Sequence, residues 1–438
     1  MSKTFRPWDI EQSWILPPTL NDFVPPGHVA HFIRDTVAND LDLRAILDCY
    51  EEERGYPPFH PAMMVGLLLY GYSRGVYSSR RLAQACEERL DFMAVTAMSQ
   101  PDFRTIGKFR RRHLKALGDL FVQVLKLCRA AGLVKLGHVA LDGTKLQANA
   151  SVHKAMSYGR MREAEKKLAA EVASWLARAE AGDASEDAAH GDGRGDEMPD
   201  WVANKVERLA RIRAAKAALE AEAEAPLDHD DEGPGPSSGM GPKDRRPQRG
   251  ADGGPPDRAQ RNFTDPDSRI QPTRQGFLAG YNAQIAVDGA AQIIVAQKLQ
   301  TNPADRGALK PLLRELRRVC KANPKEVSAD SGYCSEANLT HLARRRIGAF
   351  LATGRAGHPG KAGREKGKRI AAMALKLRLG GLRSRYRLRK QIVEPVFGQI
   401  KHARGFRQFL LRGFAQVKCE WAMICTVHNL LKLHKALA

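Results

Sequence analysis

The sequence predicts an α/β protein with a mixed β-sheet and flanking helices, preceded by an all-helical N-terminal domain and interrupted by a helical insertion. Two observations support this prediction. Short β-rich runs alternate with helical segments in the second half of the chain, which is typical of a layered α/β architecture. The N-terminal part and a central stretch lack such runs and show helical composition and periodicity instead. We place the helical domain at residues 1–135, the α/β domain at residues 136–158 and 260–438, and the insertion at residues 159–259.

The N-terminal domain is predicted to consist of short helices. Pro61 opens a buried helix through Tyr72, because proline is favoured in the first helical turn. Ser78 and Ser79 are candidate N-caps of the next helix, and Asp102 is a candidate N-cap of a third helix. Short helices followed by a basic one are typical of a helix-turn-helix-like DNA reader, although a helical bundle with a solvated basic face has the same pattern. The basic residues at the start of the third helix are Arg104, Lys108, Arg110, Arg111 and Arg112.

The α/β domain is predicted to begin with a short buried strand, residues 139–141, that ends at Asp142. Two β-rich runs joined by an Asp-Gly pair at 288–289 indicate a hairpin. A further strand, EVSA, ends at Asp330, and GAFLAT is the next strand. A helix containing Glu394 and Lys401 follows, and an apolar helix from Val417 onwards closes the chain.

The insertion has a different composition from the rest of the chain. Residues rich in Ala, Glu, Lys and Arg predict two helices, roughly 159–182 and 201–225. The stretch 226–259 is rich in Pro, Gly and charged residues, which is typical of a disordered linker. We therefore interpret the insertion as a helical arm followed by a flexible segment.

Charge and composition narrow the function classes. The formal net charge is +21, and residues 361–438 contain 19 Lys and Arg against 3 Asp and Glu. Such an excess favours a polyanionic partner, most simply nucleic acid, although a ribosome-associated or merely soluble basic protein would also be basic. The seven cysteines include no C-x-x-C pair, which argues against a disulfide framework or a zinc site. No apolar run of about 20 residues and no secretory signal are visible, so a cytoplasmic protein is expected.

Three acidic residues stand out in this basic chain. Two divalent cations can bind the attacking and leaving oxygens of a phosphodiester, and Mg²⁺ requires carboxylate oxygens as ligands. Asp142, Asp330 and Glu394 are therefore candidate metal ligands, the first two at predicted strand ends. Each has a simpler interpretation: Asp142 in an Asp-Gly turn, Asp330 as a helix cap, and Glu394 as a salt-bridge partner.

Several segments resemble the DDE-type transposases of bacterial insertion sequences, and the likeness covers nearly the whole chain. They are YGYSRGVYSSRRLAQACEERLDFMAVT, ALDGTKLQANAS, AQRNFTDPDSRI, SADSGYCSE, LATGR and QIVEPVFGQIKHARGFRQFLLRG. The resemblance implies an RNase H-like catalytic domain with Asp142, Asp330 and Glu394 as catalytic residues that hold two Mg²⁺ or Mn²⁺ ions. It also implies a double-stranded DNA partner, a homodimer that bridges two transposon ends, and a cytoplasmic, nucleoid-associated location.

The last of these segments also resembles the Y-R-E-K signature of such enzymes. Glu394 and Lys401 have its E-x6-K spacing, Lys390 stands at the place of the Arg, and Tyr386 lies one residue further away than usual. In this interpretation Lys390, Lys401 and Lys145 hold phosphates, and Arg404 adds to the DNA-binding surface; nonspecific DNA affinity is the alternative role. Three further acids, Asp265, Asp267 and Asp305, are interpreted as a turn and a helix cap rather than as metal ligands.

Two other functions are compatible with the same residues. A transposase relic without activity would bind DNA as a repressor. A metal-dependent nuclease would cut DNA with the same carboxylates and never join the strands. Intact acids at all three positions favour an enzyme over a relic.

Overall fold

The computed structural model describes residues 22, 24–50, 58–190, 200–224, 254–273, 276–354 and 367–437. Residues 226–253 of the predicted linker lie outside them. The chain divides into two compact units. The first unit comprises Met1–Leu133, His402–Gly405 and Ala422–Ala438, and the second comprises Val134–Lys401 and Phe406–Trp421. None of the helices in the described part of the chain is long and apolar enough to span a membrane.

The first unit is helical, as predicted, and its third helix, α3 (Pro61–Ser73), forms its apolar centre, with Leu67, Leu68 and Leu69 fully buried. The Ser78 and Asp102 side chains cap α4 (Ser79–Glu88) and α6 (Phe103–Arg112), as predicted, by accepting hydrogen bonds from backbone amides in the first turn. The single basic segment predicted after Asp102 breaks into two helices, α6 and α7. The helices are α1 Val29–Asn39, α2 Arg44–Leu47, α3 Pro61–Ser73, α4 Ser79–Glu88, α5 Leu90–Thr96, α6 Phe103–Arg112 and α7 Leu114–Ala130.

The second unit contains a mixed sheet of six strands and a separate two-stranded sheet. The central strand β1 pairs antiparallel with β5 on one side and parallel with β7 on the other. β7 pairs parallel with β8, and β5 pairs antiparallel with β4 and β6, so that the predicted hairpin is confirmed as β5–β6. The strands are β1 His138–Gln147, β2 Ala155–Ser157, β3 Gln260–Asn262, β4 Arg269–Thr273, β5 Gly276–Asp288, β6 Ile294–Gln300, β7 Glu326–Ala329 and β8 Gly348–Leu351.

Strand β1 is longer than predicted. It continues to Gln147, so Asp142 lies in the middle of the strand and not at its end. The reason is the antiparallel pairing with β5, which runs without interruption from Val139 to Gln147 and prevents a turn at Asp142 and Gly143. The parallel pairing with β7 covers only the first three residues of the strand, so Asp142 lies beyond the end of that ladder.

The insertion forms a helical arm, as predicted, made of α8 Tyr158–His190 and α9 Asp200–Glu224. Apolar side chains from both helices pack together, among them Met161, Leu168 and Ile212. Lys205 of α9 bridges to Glu171 of α8 at 2.7 Å. At the base of the arm Glu222 accepts two hydrogen bonds from Arg269 of β4, at 2.8 and 2.9 Å. The arm is thereby attached to the sheet.

Helices follow the strands in the rest of the second unit. They are α10 Leu309–Cys320, α11 Glu336–Arg344, α12 Lys368–Gly380, α13 Leu388–Ile392, α14 Glu394–Gly398 and α15 Phe414–Leu437, with a short π-helix, Gln399–Ala403, after α14. Residues of α15 from Ala422 onwards belong to the first unit, whereas the sequence-based boundaries place them in the α/β domain. The ten residues Trp421–Leu430 are all buried, so this part of the helix lacks the solvent-facing stripe from which a boundary could be predicted. The mixed sheet with flanking helices is consistent with an RNase H-like domain.

Candidate active site

The sheet register brings two of the predicted catalytic residues together. Val139 pairs with Val327 and Ala140 with Ser328 in the parallel ladder of β1 and β7. Continuing this register by two residues places Asp142 opposite Asp330, the residue that directly follows β7. Both side chains are partly buried at the edge where the β7 strand ends. The sequence predicts that these two acids lie at strand ends together with Glu394; in the structure Asp330 follows the end of β7, and Asp142 lies within β1.

Burial and nearby charges change the pKa of both carboxyl groups. Burial is the main reason that the pKa of Asp142 is raised to about 6, while the charge of Arg389 opposes this shift and that of Asp330 contributes to it. Burial also raises the pKa of Asp330, together with the charge of Asp305. Negative charges that lie close together in a partly desolvated site disfavour one another, and an added cation relieves this repulsion.

Asp305 is a third acidic residue of this site, and sequence reasoning missed it. It stands at the N-cap position of the helical turn Arg306–Ala308, as predicted, but its side chain makes no capping hydrogen bond. Instead its Oδ1 accepts hydrogen bonds from Asn282 at 2.8 Å and from Gln284 at 2.7 Å, and Lys145 approaches it at 3.5 Å. Asp305 follows β6 closely in the sequence, as Asp330 follows β7, and that position after a strand was the available signal.

Gly332 allows the carboxylates of Asp305 and Asp330 to approach. A Cβ atom on Gly332 would lie 3.0 Å from Asp305 Oδ2 and 3.1 Å from Asp330 Oδ1, closer than ordinary van der Waals contact. The backbone amide of Gly332 donates a hydrogen bond of 3.0 Å to Asp330 Oδ1. The Asp-Ser-Gly sequence after β7 therefore orients Asp330 and leaves room for its neighbour.

An arginine contacts Asp142 directly. Arg389 Nη2 lies 2.7 Å from Asp142 Oδ2, and the two side chains are only 13% and 14% exposed. Tyr386 lies beside Arg389. Lys390, which the sequence analysis put at the Arg position of the signature, is exposed. Assigning that position to Arg389 instead restores the usual spacing to Tyr386.

The extra residue of the signature then falls between Arg389 and Glu394. The structure accommodates it at Val393, where α13 has ended and α14 has not begun. Pro395 at the start of α14 explains the break, because proline cannot donate the backbone hydrogen bond that a continuous helix needs. After this break, α14 continues directly into the π-helix, so Glu394 and Lys401 lie on one helical segment, as predicted.

Glu394 is exposed in the first turn of α14. Within the described ranges, no three Asp, Glu, His or Cys side chains lie close enough together to hold a metal ion. Asp142 and Asp330 therefore lie near each other, whereas Glu394 does not form a three-residue cluster with them. The donor atoms fit Mg²⁺ in kind, since they are carboxylate oxygens, while the guanidinium of Arg389 adjoins one oxygen of Asp142.

One of the predicted basic residues, Lys145, lies close to the carboxylates, and a second, Lys401, contacts its backbone. Lys145, three residues after Asp142 on β1, directs its ammonium group to the carbonyl of Pro303 and towards Asp305. Lys401 donates a hydrogen bond of 3.2 Å to the Lys145 carbonyl. Burial lowers the pKa of both lysines, and nearby acids oppose the shift at Lys145. Positive charge is thus placed next to the acidic pair.

Two other predicted DNA-binding arginines are buried in the first unit, which argues against that role. Arg110 is 4% exposed and donates a hydrogen bond of 2.8 Å to the Tyr77 carbonyl. Arg404 is 9% exposed, and burial lowers its pKa to about 10. The Arg404 guanidinium donates to the carbonyl of Ile424 at 3.4 Å. Both guanidinium groups donate hydrogen bonds to backbone carbonyls.

The other predicted basic residues of α6 are exposed. Arg104, Lys108 and Arg111 have the spacing i, i+4 and i+7 and therefore lie along one face of the helix. Ile106 and Phe109 on the other side are buried. The structure thus separates a solvent-facing basic row from a buried apolar side.

Asp265 and Asp267 stabilise the chain around the start of α15. Asp265 is fully buried and accepts hydrogen bonds of 2.9 Å from the Tyr281 hydroxyl and 3.2 Å from the Gly413 amide. Asp267 accepts a hydrogen bond of 2.8 Å from the Phe414 amide. These contacts support the interpretation of the two residues as structural.

Comparisons with known proteins identify the family. Residues 18–112 match the family model "Transposase domain (DUF772)", and residues 257–430 match the model "Transposase DDE domain". The second match includes Asp330 and Glu394, whereas Asp142 precedes it. No curated protein and no solved structure matches the chain. The two matches, in the expected order along the chain, show that this protein belongs to the DDE-type transposases of insertion sequences.

Proposed function

We propose that this transposase binds the inverted-repeat ends of its insertion sequence, cleaves DNA strands there and transfers them into target DNA. The main support is the carboxylate pair, Asp142 and Asp330, at one edge of the central sheet. Burial raises the pKa of both groups; the charge of Asp330 adds to the shift at Asp142, and that of Asp305 adds to the shift at Asp330. Perturbed carboxyl pKa values of this kind are typical of functional sites. Lys145, which lies near these acids, and Lys401, which contacts the Lys145 carbonyl, would provide positive charge for a DNA phosphate.

Asp142, Asp330 and Glu394 would hold two Mg²⁺ or Mn²⁺ ions in this proposal. Glu394 is included because of its E-x6-K spacing to Lys401 and the family resemblance. Two such ions supply stabilisation of the attacking and leaving oxygens of the phosphodiester. Asp305 keeps Lys145 and two amide side chains in place next to Asp330, so we assign it a positioning role.

The basic residues of the second unit would bind the DNA backbone near the carboxylates. Lys401 of the π-helix donates a hydrogen bond to the backbone carbonyl of Lys145 on β1, so the two residues are neighbours and their charges act on the same region. Their partial burial strengthens their interaction with a phosphate, because the charges are less screened than on an open surface. The exposed Lys390 adds long-range attraction.

The first unit would recognise DNA through α6. Its exposed row of Arg104, Lys108 and Arg111 faces solvent, and Arg80 and Arg81 of α4 are exposed as well. α4 and α6 approach closely at Gly107, where a Cβ atom would be 3.7 Å from Ser79 Oγ. This combination of short helices and a basic exposed face supports groove or backbone binding. We propose that two copies act together when bound to two ends.

The proposal is tested with a DNA duplex that carries the terminal sequence flanking the gene, incubated with the protein and Mg²⁺. The wild type is expected to give both cleaved and joined products. Asp142→Asn, Asp330→Asn and Glu394→Gln are expected to reduce both products to background while DNA affinity is retained. Asp119→Asn, an exposed acid on α7, serves as the matched control.

Three results distinguish the candidate functions. Binding without any cleavage by the wild type would indicate a relic that acts as a repressor. Cleavage without joining would indicate a nuclease. Full activity of Glu394→Gln with loss of activity in the two aspartate variants would remove Glu394 from the site and leave the carboxylate pair.

A further inference from the structure

Asp142, a proposed metal ligand, is already paired with Arg389. Asp142 Oδ2 faces Arg389 Nη2 at 2.7 Å, and Asp142 Oδ1 accepts a hydrogen bond of 2.9 Å from the Gly143 amide. Both oxygens therefore already have donors. A guanidinium paired with this carboxylate neutralises its charge and repels a divalent cation, so the ion pair lowers the affinity of Asp142 for a metal ion.

The guanidinium of Arg389 is also incompletely satisfied where it lies. Its Nε is buried and has no hydrogen-bond partner among the described residues. A buried donor without an acceptor is unfavourable, and two adjacent acceptor oxygens would satisfy Nε and an Nη together. A phosphate group offers this pair of oxygens, and a guanidinium fits it as a fork.

The surroundings of Arg389 favour the arrival of such a phosphate. The stretch 367–390 contains nine Lys and Arg residues and no Asp or Glu. Arg389 itself lies on α13, a helix of only five residues that ends before the break at Val393. Because this helix is short, few contacts have to break when a side chain on it moves to a new partner.

We propose that Arg389 is an internal counter-ion that closes the metal site of the DNA-free protein and exchanges Asp142 for a DNA phosphate when DNA binds. This inference rests on the proposed function, because it takes Asp142 as a metal ligand. It assigns Arg389 a positioning role: DNA and metal bind cooperatively, since each favours the state in which Arg389 has left Asp142. By linkage, DNA must then raise metal affinity by the same factor by which metal raises DNA affinity.

A purely structural ion pair makes the opposite prediction. If Arg389 only holds Asp142 in place, its removal would misplace the carboxylate and weaken metal binding. The direction of the change in metal affinity, measured without DNA, therefore separates the two roles.

The experiment measures Mn²⁺ binding to the full-length protein by electron paramagnetic resonance, first without DNA and then with a DNA duplex. Arg389→Gln is expected to bind Mn²⁺ about 5- to 150-fold more tightly than the wild type without DNA, the usual range of such couplings. Addition of DNA is expected to raise the affinity of the wild type by a larger factor than that of Arg389→Gln, because only the wild type also gains from the release of Asp142 by Arg389. Arg387→Gln removes an exposed arginine two residues away and is expected to behave as the wild type does.

Two further variants make the outcome decisive. Arg389→Lys keeps the charge without the fork and is expected to give an intermediate Mn²⁺ affinity, which also tests the idea if Arg389→Gln fails to fold. Asp142→Asn is expected to lose Mn²⁺ binding. Equal or weaker Mn²⁺ binding by folded Arg389 variants, with loss in Asp142→Asn, would overturn the counter-ion role and leave the proposed function standing. Mn²⁺ binding unaffected by Asp142→Asn would overturn both.

Discussion

Substitutions of two adjacent arginines on α6 are expected to affect different properties, one the stability of the first unit and the other its DNA affinity. Arg110 is buried and its guanidinium donates to the Tyr77 carbonyl, whereas Arg111 is exposed. Arg110→Met should therefore destabilise the first unit with little direct effect on DNA affinity, and Arg111→Gln should weaken DNA binding with little effect on stability. The sequence alone treats the two residues as equivalent.

The magnitudes follow from these environments. Arg110→Met leaves a buried carbonyl without its donor, which costs about 1–3 kcal/mol of unfolding free energy. For a unit of this size each kcal/mol lowers the melting temperature by about 2–4 °C. Loss of one phosphate contact in Arg111→Gln reduces the slope of log K against log salt concentration by about 0.9. Surface substitutions of this kind change stability by less than about 0.5 kcal/mol.

The assay combines thermal unfolding with a salt titration of binding to a random-sequence duplex between about 50 and 200 mM salt. The random sequence isolates backbone contacts from recognition of particular bases. A reduced salt slope for folded Arg110→Met, or a large loss of stability for Arg111→Gln, would refute the assignment of buried and exposed sides of α6. An unchanged slope for Arg111→Gln would remove that residue from the DNA-binding face.

Three other substitutions test the second unit. Asp265→Ala should lower the unfolding free energy by about 3 kcal/mol in urea denaturation, because it leaves a buried tyrosine hydroxyl and a backbone amide without their acceptor; an effect below about 1 kcal/mol would contradict this. Gly332→Ala should reduce strand cleavage but not DNA affinity, because its Cβ would crowd two carboxylates of the site, whereas Gly398→Ala, with nothing within 4 Å of its Cβ, should be neutral in both assays. A hydrogen bond from Lys216 holds the pKa of Glu165 below its usual value, so this pair stabilises the arm above the unfolded pKa and the stabilisation is lost as the pH falls through the folded pKa. Glu165→Gln should therefore flatten the fall of the melting temperature at acidic pH, and an unchanged profile would exclude the pair as a cause.

Most of the architecture could be predicted from local sequence patterns. The N-caps, the helical arm and the β5–β6 hairpin each depend on residues that are close in the sequence, so composition and periodicity identify them. Element boundaries were less predictable where pairing extends a strand, as in β1, or where proline divides a helix, as at Pro395. The distribution of α15 over two units was not predictable, because the helix is buried along much of its length.

By itself, the sequence determined the fold class, the family and the positions of Asp142 and Asp330 at strands of one sheet. Only the tertiary structure decided which charged neighbours act on them. Asp305 and Arg389 reach the carboxylate pair from segments that are distant in the chain. Their positions in the sequence give a signal for the residues themselves, but no local pattern encodes which groups they contact. Burial likewise separates Arg110 from its exposed neighbours, since a charge pattern in the sequence records the residue type but not the side of the helix that the core covers.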